Sequence, residues 1–86
     1  MGANLSNNEW VLAEVRAHAL RRIRATREAE LRHPQCAERC RTASREMERV
    51  IIRMDAALTK PARDRIVRAT RAILKHHARL SNDLPQ

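Results

Sequence analysis

The chain has 86 residues, with 18 Lys and Arg against 10 Asp and Glu for a net charge of +8; one Trp is its only aromatic residue and Gly2 its only glycine. So short a chain forms one small domain, 1–86, and buries too little for a large core unless it is very regular or shares its core with a partner. Apolar content carried by Ala, Leu, Ile, Val and Met, with almost no residue to supply the positive φ of tight hairpins, excludes a β fold and points to an all-α one.

No apolar run approaches the length of a membrane span, and no secretory segment is visible. Two cysteines make no disulfide framework, so the expected compartment is the reducing interior of the cell, the cytoplasm. Of the 18 bases, 16 are Arg. Such an excess implies an acidic partner, whether nucleic acid, anionic lipid or an acidic protein face. A GC-rich coding sequence would also favour Arg codons, so the placement of the arginines has to decide.

The first helix is predicted over about 7–32. The opening MGANLSNNEW admits two readings. Met1-Gly2-x3-Ser6 fits an N-myristoylation pattern. Ser6 and Glu9 also form a capping box, and Leu5 and Trp10 occupy the positions of a hydrophobic staple. Four residues thus agree on a helix start, and the cap is the preferred reading. Leu12, Val15, Ala19, Ile23 and Thr26 then recur at helical spacing. Pro34 ends the helix, because the residue before a proline is pushed out of the α region.

The second helix, about 35–58, carries Cys36, Cys40, Ala43, Met47, Val50, Met54 and Leu58 at steps of three and four, close to an a/d seam. Thr59 is placed to cap a third helix over about 60–80, with Pro61 in its first turn. That helix repeats Ala62, Ile66, Ala69, Ile73, His77 and Leu80. Residues 1–5 and 81–86 are expected to be flexible ends. Seams this narrow bury little alone, so a helical hairpin completing its bundle as a homodimer is expected, with the second-helix seam at the dimer core.

His33, Cys36 and Cys40, with His76 and His77 to complete them, invite comparison with a metal site, but the spacing fits no common zinc module. Both cysteines lie on the seam, where a free thiol packs as a small hydrophobe. No metal and no cofactor are expected. Arg71-x4-His76 and Arg27-x5-His33 match a helical-ribonuclease spacing that four His and 16 Arg produce by chance in 86 residues. No phosphate loop, nucleophile set or paired carboxylates appear, and the chain reads as non-enzymatic. His76 and His77, near the end of the third helix, suit carbonyl capping or a pH response.

The arginines carry more. Arg41, Arg45, Arg49 and Arg53 stand at strict one-turn spacing opposite the second-helix seam, over about 18 Å of helix. Like charges at i, i+4 repel, so the row costs the isolated helix stability. Arg68, Arg71, Lys75 and Arg79 repeat the idea on the third helix, and Arg21, Arg22, Arg24 and Arg27 add bases on the first. Arginine forks match phosphate oxygens bidentately. The lack of aromatics disfavours single-strand binding, and no helix-turn-helix or zinc-finger signature is present. What remains is backbone and shape readout of duplex RNA or another polyanion, through Arg41, Arg45, Arg49, Arg53, Arg21, Arg24, Arg27, Arg68, Arg71 and Lys75.

A helix, a break near Pro34, a long basic helix with an early Cys and a Leu58-x-Lys60-Pro61 turn into a third helix resemble the layout of the nodavirus suppressors of RNA silencing. The resemblance covers about residues 5–75 in element order. It implies a homodimer in which two copies of the first two helices form a four-helix bundle, one face lying along double-stranded RNA irrespective of sequence. Two other readings compete: a regulator docking its basic face on an acidic partner protein, and a peripheral membrane protein with an acylated Gly2 and basic faces on anionic lipid.

Overall fold

A computed structural model describes residues 5–83 of the chain, and within them there are helices and no strands. Helix α1 spans Asn7–Arg32, a 3₁₀ turn follows at Pro34–Cys36, α2 spans Ala37–Ala56 and α3 spans Lys60–Asp83. The three-helix reading holds. The Gly2 acylation pattern lies outside the described residues, as do residues 1–4 and 84–86 of the expected flexible ends. At the other end α3 runs on through 81–83, three residues past its predicted close.

The helix ends follow from local chemistry. The Ser6 N–H donates to Glu9 Oε1 at 3.2 Å and the Glu9 N–H donates to Ser6 Oγ at 3.1 Å, so the capping box is closed in both directions. The Trp10 N–H donates to the Ser6 carbonyl at 2.9 Å as the first helical bond. At the far end His33, at φ −131° and ψ 75°, leaves the helical region as the residue before Pro34 must. The segment predicted to begin α2 instead forms the 3₁₀ turn, because no side chain caps α2 at Cys36. α2 ends without a glycine: the Ala57 N–H reaches the carbonyls of Arg53 and Met54 at 3.1 and 3.2 Å. Thr59 caps α3 as predicted, its Oγ1 accepting from the Ala62 N–H at 3.4 Å.

The chain read as one domain gathers its contacts into two compact units that share α1. The first unit joins α1 through Ala17 to the segment from Thr59 onward, which is α3. Its buried residues are Ala13, Ala17, Ile66, Ala69 and Thr70. The predicted α1 stripe put Leu12 and Val15 here. Alanines take the buried positions instead, since short side chains let helix axes approach closely. The buried Thr70 hydroxyl is satisfied by the Ile66 carbonyl at 2.7 Å. Glu9 Oε2 accepts from Arg65 Nε at 3.2 Å and from Nη2 at 2.7 Å, tying α1 to α3.

The second unit is His18–Leu58. Its core is Ala19, Ile23 and Ile51, with Leu20 and Met47 partly buried against them. Two ion pairs join α1 to α2 here: Arg27 Nη2 to Glu48 Oε1 at 2.5 Å, and Arg41 Nε to Glu30 Oε1 at 3.3 Å. The buried stripe of α2 is turned from the predicted seam by about 65° of arc. Ser44 and Ile51 are buried, whereas Ala43 is exposed and Val50 is 45% exposed. Cys36, Cys40, Met47, Met54 and Leu58 are half-buried. The shift has a simple origin: a serine at a core position reads as polar, so a periodicity count passes over it to the neighbouring alanine.

Candidate nucleic-acid interface

α2 turns Ser44 and Ile51 toward its own core, and helical geometry then fixes where the arginines go. Arg41, Arg45, Arg49 and Arg53 are all exposed, Arg45, Arg49 and Arg53 on the side away from those two residues and Arg41 on the flank between. Arg41 is partly committed, since its Nε meets Glu30 and lies 3.4 Å from the Ala37 carbonyl. Arg45, Arg49 and Arg53 are joined to no carboxylate among the described residues. Glu38, Arg41, Thr42 and Arg45 line a shallow polar recess on this face. The Thr42 hydroxyl donates back to the Glu38 carbonyl at 3.0 Å.

The α1 bases divide. Arg24 pairs with Glu28 one turn on, at 3.5 Å, and Arg27 with Glu48, whereas Arg21 and Arg22 are exposed without such a partner among the described residues. On α3, Arg68, Arg71, Lys75 and Arg79 are all exposed. Of the predicted contact residues, then, Arg24, Arg27 and Arg41 are engaged with carboxylates and the others are open. Sequence spacing shows the Arg24–Glu28 pair in advance, but not Arg27–Glu48, whose partners lie 21 residues apart.

Among the described residues, Glu9 is the carboxylate whose surroundings clearly perturb it. Its carboxyl is held below its ordinary 4.5, first by the hydrogen bonds from Arg65 and then by the Ser6 N–H, with desolvation opposing. Cys36 and Cys40 are free thiols. The His76 and His77 rings meet edge-on with centroids 6.2 Å apart. Among the described residues no group of three His, Cys, Asp or Glu is placed to hold a metal ion. No described helix is long and apolar enough to cross a membrane.

Beside the basic face lies an apolar groove of the second unit, lined by Leu20, Ile23, Ile51 and Ile52 and rimmed by Arg27 and Glu48. Ile52, 65% exposed, is on the arginine side of α2. No signal in the periodicity marks it, because it falls between arginines.

Fold and charge together define a small, all-helical, arginine-rich chain with solvent-facing basic rows. No family model, no curated protein and no solved structure matches it.

Proposed function

We propose that this protein binds double-stranded RNA in the cytoplasm, irrespective of sequence and as a homodimer, in the manner of the nodavirus suppressors it resembles. The observation that carries the reading is the α2 row: four exposed arginines one turn apart, three of them without a carboxylate partner among the described residues. A rigid helix bearing guanidinium forks about 6 Å apart in axial rise matches a rigid array of phosphates better than a flexible strand, and offers no aromatic for a base to stack on. Readout of this kind addresses backbone and 2′-hydroxyls, which line the shallow groove of A-form RNA. Arg21 extends the surface from α1, and Arg24 and Arg27 assist by exchanging their present carboxylates for phosphates.

The dimer is part of the same reading. Three buried hydrophobic residues make a slight core for the second unit, and Val50 and Ala43 remain on its surface along the predicted seam. A second copy laid on that flank would bury them, with Arg53 at its border and Arg41, Arg45 and Arg49 left outside it.

A gel-shift titration of duplex RNA against duplex DNA and single strands tests the proposal. A clear preference for the RNA duplex is expected. Equal, weak retention of all three reduces the arginines to general charge. Retention of none favours the acidic-protein reading, for which the groove beside Ile52 is the supporting feature.

A further inference from the structure

The longest stretch of this chain without a carboxylate is on α3: no Asp or Glu lies between Arg65 and Asn82. Within it Arg68, Arg71, Lys75 and Arg79 fall inside about 80° of arc centred opposite Ile66, over roughly 16 Å of helix. Ile66, Ala69 and Thr70 are buried, so the four bases point away from the first unit's core, and all four are exposed.

Like Arg45, Arg49 and Arg53 of α2, they differ in their surroundings from the bases that are paired. Arg24, Arg27, Arg41, Lys60 and Arg65 each have a carboxylate within 4 Å, at Glu28, Glu48, Glu30, Asp64 and Glu9. The α3 row has none among the described residues. Like charges at this spacing destabilise a helix, and a face that is merely solvated mixes its signs along the row. A row kept free of acids over its three turns is complementary to a polyanion and to little else.

The α2 row belongs to the unit His18–Leu58 and the α3 row to the other. We infer that α3 is a second duplex-binding face, distinct from the α2 row, so that the protein joins two duplex segments. For its ligand this rests on the duplex-RNA reading above. For its location it rests on α3 alone.

Two populations of short blunt RNA duplex, one carrying a donor and one an acceptor fluorophore, read the inference directly. The full-length protein is expected to bring them together and raise energy transfer. The variant Arg68→Gln/Arg71→Gln/Lys75→Gln/Arg79→Gln should still bind single duplexes through its α2 row yet give no transfer. Circular dichroism should show both proteins folded alike, since all four positions are exposed. Transfer by this variant at the unsubstituted level overturns the inference, because copies pairing through their α2 rows then suffice. Binding by the unsubstituted protein without transfer overturns it as well. The α2 reading is judged separately by Arg45→Gln/Arg49→Gln/Arg53→Gln: unchanged single-duplex affinity there removes α2 as a face. If the α3 variant then loses all binding, α3 is the sole face and not a second one.

Discussion

Glu9 serves two partners with one carboxylate. Oε1 accepts the Ser6 N–H and closes the cap of α1, while Oε2 takes both nitrogens of Arg65 and so fastens α3. Both interactions favour the ionised form, and its carboxyl is held below 4.5 when the chain is folded. A carboxylate lowered in this way stabilises the fold above its unfolded value, and that stability drains away as pH falls through the folded value. The melting temperature is therefore expected to hold from neutrality down to about pH 5 and to fall below it. Glu9→Gln keeps an acceptor for the cap but loses the charge. It should melt lower at pH 7 and lose less on acidification, the two curves converging in acid; parallel curves in thermal melts would remove Glu9 as the source. Ser44 presents the opposite case. Its hydroxyl is buried and has no hydrogen-bond partner, so it bears a desolvation cost without recompense. Ser44→Ala should raise stability by about 1 kcal/mol, read as a higher urea midpoint at unchanged slope. A lower midpoint would mean the hydroxyl is satisfied in solution.

At the scale of the element, α2 is a helix with two obligations, a core stripe through Ser44 and Ile51 and a basic row that starts beside it at Arg41 and runs round to the far side at Arg49 and Arg53. If the row reads phosphates, Arg49→Gln and Arg53→Gln should each weaken duplex RNA binding equally across sequences and flatten the salt dependence by about one unit of slope. Stability should barely move, since both side chains are exposed and removing one of a like-charged row relieves repulsion. Arg→Lys at the same positions should restore only part of the affinity, because the charge returns without the fork. Wild-type binding by both Gln variants would take the phosphate face away from α2. How much of this was legible in the sequence depended on whether the deciding contacts were local. The bounds of α1 and the starts of α1 and α3 are set by Ser6, Glu9, Pro34 and Thr59 acting within four residues, and they were read correctly. The α2 core was read one position off at Ala43 and Val50, because burial of Ser44 is decided by the facing helix and not by its own polarity. The engagement of Arg27 and Arg41 by Glu48 and Glu30 was equally hidden, since partners brought together by folding leave no spacing to count. The α3 row, by contrast, is legible in the spacing of its bases.

For the molecule as a whole the question is what completes so slight a core. The first unit buries three alanines with a single isoleucine, and the second one alanine with two isoleucines. Units of this kind rarely stand alone in water, and the usual remedy is a second copy. Val50 and Ala43 leave apolar surface along α2 for it, on a flank that only Arg53 of the row borders. If two copies pair as proposed, stability depends on protomer concentration and the melting temperature is expected to rise as the protein is concentrated through its dissociation range. Val50→Asp places a charge on that flank. Because Val50 is 45% exposed in the isolated chain, the change costs the monomer little, whereas a charge buried without a partner in an interface is strongly unfavourable. The variant should scatter light as a monomer and melt at a temperature independent of concentration, with its helix content retained. It should also bind duplex RNA more weakly than the parent, since one chain presents half the arginines of two. A Val50→Asp protein that remains dimeric would move the interface elsewhere, and a parent protein that is monodisperse and monomeric at micromolar concentration would remove the dimer altogether.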